Sequence, residues 1–303
     1  YQTFRAVLAI LTALFFSFVI GPKIINYLKY LKVGQVVRSD GPQTHLVKKG
    51  TPTMGGIMMI AAVCFTTLLW ADLSNWRVWV ALFVFVGCGA VGFLDDYQKL
   101  VKKNPNGLSA KAKYSLLSVV ALMATGYMYW RAQATGDVQI TNLYVPMFKD
   151  LIIPLGAAYI FWGYFVMVGT ANGVNFTDGL DGLATMPAVL IASALGVFAY
   201  VSGNAQIADY LLLDQVKGAG ELTIICGALA GAGLGFLWFN AYPAMVFMGD
   251  TGSLALGGAL GAIALLVKQE LVFAVMGGVF VAEVLSVILH VGSFKLRNGK
   301  RIF

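Results

Sequence analysis

The chain has 303 residues, of which 59% are hydrophobic and 12% charged, with a net charge of +7 and a mean hydropathy of +0.78. Soluble domains carry about a quarter charged residues, so this composition excludes an ordinary water-soluble globule. Apolar runs of about 20 residues, long enough to cross a ~30 Å hydrocarbon core as helix, recur in place of the short alternating segments of a β-barrel.

In chain order, nine membrane spans are predicted: 4–22, 53–71, 78–94, 114–131, 151–171, 183–202, 221–239, 252–267 and 270–292. The first is followed by a basic segment rather than a small-residue cleavage site, which makes it a membrane helix and not a signal peptide. The eighth, GSLALGGALGAIALLV, is short and rich in glycine, a composition suited to close helix packing. Cys64, Cys88 and Cys226 all fall inside apolar runs and form no paired framework, so they read as small buried hydrophobes. There is no internal repeat and no linker, and 1–303 is expected to be a single all-α membrane domain.

Fifteen of the 21 basic residues lie in three places: the loop after span one (Lys23 to Lys49), the loop after span three (Lys99 to Lys113) and the segment after span nine. Basic residues accumulate on the cytoplasmic side, which sets the odd-numbered loops there. GTPTMGG (50–56), GFLDDYQK (92–99), NFTDGLDG (175–182) and NAYPAMVFMGDTGS (240–253) then share the cytoplasmic face.

Those segments hold Asp95, Asp96, Asp178, Asp181 and Asp250. Carboxylates close to lipid are costly unless paired, solvated or bound to a cation. The loops carrying Asp178, Asp181 and Asp250 contain no Lys or Arg, so a divalent metal or basic residues from other loops must serve them. Asp95 and Asp96 point about 100° apart on a helix, and Lys99 follows on the same side; a surface ion pair at a helix end is the plainer reading of DDxxK. Asn175, Asp178 and Asp181 would stand about one turn apart if helical, whereas a glycine-rich turn with Asp178 or Asp181 as N-cap of span six is the alternative. Asp250 precedes a span, where it could cap the helix, as could Thr251 or Ser253, or ligate Mg2+. Asn240 and Phe247 could hold a planar ring such as a nucleobase, or Phe247 could be an interfacial anchor. Lys48 and Lys49 could meet phosphate or simply follow the charge bias. Glu283, Ser286 and His290 share one face of span nine and suit a polar packing seam.

Together GTPTMGG, FLDDYQK, NFTDGLDGLA, FLWFNAYPAMVFMGDTGSLALGG and SFKLRNGKRIF resemble the phospho-N-acetylmuramoyl-pentapeptide transferase (MraY) family of the polyprenyl-phosphate N-acetylhexosamine-1-phosphate transferase superfamily. The resemblance covers nearly the whole chain. It implies an Mg2+-dependent enzyme that joins UDP-MurNAc-pentapeptide to undecaprenyl phosphate, giving lipid I and UMP in peptidoglycan synthesis. It also implies a homodimer in the bacterial inner membrane, embedded in lipid, with a cytoplasmic catalytic face and no nucleic-acid partner. By motif, Asp95, Asp96 and Asp250 are the implied catalytic acids, Asp250 the metal ligand and Lys99 the DDxxK lysine. Asn175 and Asp178 match the NxxDxxD run, and Gly179, Leu180, Asp181, Asn240 and Phe247 fall where the family binds uridine. Lys48, Thr53, Lys111 and Asn172 match polar positions lining the same cleft. Family members continue past Phe303 into a His-rich loop and a tenth helix, so those are expected to be absent from this chain. The alternatives are a related transferase using UDP-GlcNAc and a cation-coupled transporter, the latter disfavoured by acids at one face and no paired repeats.

Overall fold

A computed structural model describes residues 1–31, 51–100, 107–146, 148 and 151–296. Lys48, Lys49 and the basic residues after position 296 lie outside them.

Among the described residues the fold is carried by eleven α-helices: α1 (Gln2–Tyr30), α2 (Gly56–Trp70), α3 (Trp76–Leu100), α4 (Ala110–Thr135), α5 (Tyr159–Thr177), α6 (Thr185–Gly203), α7 (Ala205–Tyr210), α8 (Leu222–Asn240), α9 (Gly249–Leu266), α10 (Glu270–Met276) and α11 (Gly278–Leu296). Eight predicted spans correspond to one helix each. Five helices, α1, α3, α6, α8 and α9, are long and apolar enough to cross a membrane, and α10 with α11 adds a sixth if the pair is one span. Of the rest, α2 is apolar but has only 15 residues, about 22 Å at 1.5 Å per residue. Helices α4 and α5 are long enough but interrupted by Lys111, Lys113 and Arg131 in one, Asn172 and Asn175 in the other.

Two expectations need correcting. The ninth span is broken into α10 and α11, bent by 79°. The Gly277–Gly278 pair sits at the break, a composition at which sharp kinks occur. The fifth span begins at Tyr159 rather than 151, because Ile152–Pro154 (β2) pairs antiparallel with Asn142–Tyr144 (β1). Two β-branched isoleucines favour an extended chain, and Pro154 holds the residue before it out of the α region.

Helix α9 is the axis of the bundle. Every residue from Thr251 to Leu266 is buried, packed mainly against α3 and α5. A second close pair is α1 with α8. Ala6, Ala9, Ala13, Ser17 and Gly21 form the buried stripe of α1. On α8, a Cβ at Gly231 would stand 2.2 Å from the Ile10 carbonyl oxygen. Small residues at both surfaces let the backbones approach, which is how helices associate where lipid removes the hydrophobic drive.

At one end of the bundle the irregular segments interlock. Gly55 N donates to Phe247 O (2.8 Å), Gly56 N to Met248 O (2.9 Å) and Phe247 N to Pro52 O (2.8 Å). The chain entering α2 thus pairs with the chain entering α9. The C-terminal ends of α3, α5 and α8 and the N-terminus of α4 complete the same end.

Candidate active site

Asp95 and Asp96 sit in the penultimate turn of α3, 2% and 4% exposed. Their 100° offset sends them to different partners. Asp95 Oδ1 accepts from Leu108 N at 2.8 Å, which ties α3 to the start of α4, and Asp95 Oδ2 forms an ion pair with Lys99 one turn on. Asp96 reaches the N-terminus of α9. It accepts from Asp250 N (3.3 Å), Thr251 N (3.0 Å) and Thr251 Oγ1 (2.7 Å). The first N–H groups of a helix have no partner within it, and a negative group there is favoured by the helix dipole. Asp96 is therefore the cap of α9, supplied from another helix; neither Asp250, Thr251 nor Ser253 is the N-cap.

Asp250 is the hub. Its Oδ2 lies 2.7 Å from Lys113 Nζ and 3.1 Å from Lys99 Nζ, and its Oδ1 accepts from Asn175 Nδ2 at 2.8 Å. Asn175 Nδ2 also donates to Ser253 Oγ (2.8 Å), and Asn175 Oδ1 accepts from Lys113 (3.4 Å). Lys113 is the residue the sequence reading missed. Ser109 caps α4, accepting from Ala112 N at 3.2 Å, and this fixes the helix so that Lys113 turns inward while Lys111 is exposed. Residues two apart on a helix do not share a face.

Close backbone approach makes the group possible. A Cβ on Gly92 would lie 2.1 Å from the Asp250 carbonyl oxygen, and one on Gly249, at φ +72°, 2.6 Å from Asp96 Oδ2 and 2.9 Å from Thr53 Oγ1. Thr53 is buried at this contact.

The NxxDxxD run is divided. Helix α5 ends at Thr177, so Asp178 is its C-cap and Asp181 lies in the following turn; the N-cap of α6 is Ala184, not either acid. Asp178 is half-buried. Burial pushes its carboxyl well above the usual carboxylate range, and the charges of Asp250, Asp96 and Asp181 push the same way. Asp181 Oδ2 accepts from Ala244 N at 3.4 Å. Asn240 is buried and clamps the two loops: its Oδ1 accepts from Gly182 N (3.1 Å) and Thr185 Oγ1 (3.0 Å), and its Nδ2 donates to Val246 O (3.1 Å). Gly179 and Leu180 are exposed beside this clamp and Phe247 is half-buried. Asn172 Nδ2 donates to Val168 O of its own helix at 2.8 Å. Glu283, Ser286 and His290 are on α11, which packs against α5.

One oxygen from each of Asp95, Asp96 and Asp250 lies within 4.8 Å of the other two, so the three could hold a metal ion. The surroundings fit one. Two lysines face three carboxylates, and Asp95 and Asp96 are both buried. Oxygen donors in a carboxylate-rich setting suit a hard divalent cation. Such a site, with lysines beside it and a loop clamp alongside, can bind a polyanion and stabilise charge developing on it.

Residues 78–268, more than half of the chain, match the model of glycosyl transferase family 4. The matched stretch runs from α3 to just past α9 and contains every residue of the carboxylate group.

Proposed function

The chain belongs to glycosyl transferase family 4, and within that family we propose, from its motifs, that it is the phospho-N-acetylmuramoyl-pentapeptide transferase they resemble. The broader statement stands on the family: the protein is a membrane-embedded transferase that places a phosphosugar on a polyprenyl phosphate. Within it, the donor proposed is UDP-MurNAc-pentapeptide, the acceptor undecaprenyl phosphate, and the products lipid I and UMP. The setting proposed is a homodimer in the bacterial inner membrane, with the carboxylate end in the cytoplasm.

The observation that carries the reading is the buried Asp95–Asp96–Asp250 group with Lys99 and Lys113 against it. A catalyst of phosphoryl transfer chiefly positions its reactants and stabilises charge. Asp95 orients the acceptor phosphate and takes its proton. An acceptor oxygen then bonds to the β-phosphorus as the bond to UMP breaks, and UMP leaves with that electron pair. Lys99 and Lys113 hold Asp250 and contact the donor phosphates. Asp96 keeps α9 in register so that Asp250 stays in place. Mg2+, when bound at Asp250, supplies charge neutralisation for the diphosphate. The loop clamp around Asn240, with Asp181 and Phe247, offers the uridine its edge and face contacts.

An acceptor with a long apolar tail also needs a place beside the bundle. A groove of about 400 Å3 between α5, α10 and α11, lined by Trp162, Phe165, Phe273, Phe280 and Leu285, supports this. Its walls are almost wholly apolar, apart from Thr170 and Glu270.

Purified protein given radiolabelled UDP-MurNAc-pentapeptide, undecaprenyl phosphate and Mg2+ should release UMP and a labelled lipid, and UDP-GlcNAc should not compete. Turnover of UDP-GlcNAc instead would move the assignment to the related transferase. Stoichiometric UMP release without acceptor would replace the single displacement with a covalent route.

A further inference from the structure

The opposite end of α3 borders a second polar cavity, of about 530 Å3, lined by Trp76, Arg77, Arg131, Asp137, Gln139 and Lys217 among others. Arg77 lies ~27 Å along α3 from Asp95 at 1.5 Å per residue, so this cavity is remote from the transferase site.

Its charge is lopsided. Three cations line it against one anion, Asp137. Asp137 accepts from Gln139 N at 3.2 Å, and among the described residues no carboxylate lies within ion-pair range of either arginine here. Arg77 is 4% exposed, and its Nε donates to Lys217 O at 3.0 Å. The Arg77 and Arg131 guanidinium carbons lie 4.6 Å and 5.6 Å from the centre of the same Trp76 ring. The ring attracts each cation, and Asp137 is the one carboxylate in the lining that offsets their mutual repulsion. Arg131 Nε is buried and, among the described residues, has no hydrogen-bond partner. A buried donor in that state bears a desolvation cost that only an acceptor removes.

An oxyanion answers all three features. Guanidinium forks match phosphate geometry, and an anion between two arginines turns their repulsion into shared attraction. We propose that this cavity binds a phosphate-class oxyanion, held by Arg77 and Arg131 with Lys217 at the mouth. The ligand is either the headgroup of an anionic phospholipid or free phosphate. A run of aromatic side chains leads away from Trp76 at the cavity wall, with Tyr127 6.0 Å from Trp76 and 5.7 Å from Trp130 between ring centres. Such belts mark the headgroup level of a bilayer, where either source is within reach.

The test uses the full chain purified in detergent. Inorganic phosphate is titrated calorimetrically, and retained phosphatidylglycerol is counted against phosphatidylcholine by native mass spectrometry. Arg131→Gln and Lys217→Gln should each weaken the binding seen in wild type about tenfold or more, the loss of one charge-assisted hydrogen bond. Lys217 is exposed, so its substitution tests the idea even if Arg131→Gln fails to fold. Binding of phosphate alone identifies a soluble ligand, and selective retention of phosphatidylglycerol identifies a headgroup. Absence of both from wild type, or equal binding by wild type and Lys217→Gln, overturns the proposal.

Discussion

Lys113 Nζ lies 2.7 Å from Asp250 Oδ2, joining the first turn of α4 to the first turn of α9. Lys113 is only partly exposed at 18% of its side chain, whereas Lys111 is exposed and, among the described residues, makes no ion pair. Lys113→Gln should therefore lower both the melting temperature and transferase turnover, the latter at least tenfold, since a hydrogen bond to a charged group contributes about 1.5–3 kcal/mol. Lys111→Gln should leave the melting temperature unchanged. Equal melting temperatures for the two variants would contradict the structure.

Asp96 caps α9 from a neighbouring helix. Asp96→Ala should cost about 0.5–2 kcal/mol, the range for loss of a helix cap. Asp96→Asn keeps an acceptor for Thr251 and should recover most of that stability while remaining poorly active. Thermal denaturation read beside activity separates the two effects; an inactive Asn variant as unstable as the Ala variant would mean the charge, not the cap, holds α9.

Asp178 gives a signed pH dependence. Its folded-state carboxyl is raised by burial and by three neighbouring carboxylates, above an unfolded value of about 3.9. Between the two values the folded state holds the extra proton. The contribution to stability is thus full below the unfolded value and lost as pH rises through the folded one. Asp178→Asn removes that decline, so its melting temperature relative to wild type should climb as pH is raised above about 4. A flat difference would show that the carboxyl is not perturbed.

Gly92 permits α3 to touch the start of α9, where a Cβ would meet the Asp250 carbonyl oxygen at 2.1 Å. Gly92→Ala should push the two helices apart and pull Asp95 and Asp96 from Asp250. The expected result is a loss of divalent-metal affinity of tenfold or more, measured by calorimetry on the folded variant, against an overpacking cost of about 1–3 kcal/mol. Unchanged metal affinity would place the ion elsewhere.

The helical fold is legible in the sequence because lipid demands long apolar runs, and such runs are visible one residue at a time. The acids are legible for the converse reason: Asp95, Asp96 and Asp250 are conspicuous where apolar neighbours surround them. Direction is harder. Lys111 and Lys113 are the same residue type two positions apart, and only the packing of α4 decides which one meets Asp250. Asp96 as a cap for α9 is equally hidden, since donor and acceptor lie 154 positions apart in sequence. The break between α10 and α11 had a local signal in Gly277–Gly278, outweighed by the apolar run on either side. Asn240 stands out in the sequence as a polar residue near an aromatic, but two of its three hydrogen bonds go to Gly182 and Thr185, more than fifty positions away.

The 79° break between α10 and α11 leaves the apolar groove on the outer flank of the bundle, where Phe165, Leu285 and Ile288 are well exposed. A lipid acceptor entering there arrives sideways, within the plane of the bilayer, and never crosses water. Its effective concentration is then a mole fraction among lipids rather than an amount per litre. Diluting the acceptor with inert lipid at constant total acceptor should slow the enzyme, while diluting the whole suspension with buffer should leave the rate per enzyme unchanged so long as the nucleotide stays saturating.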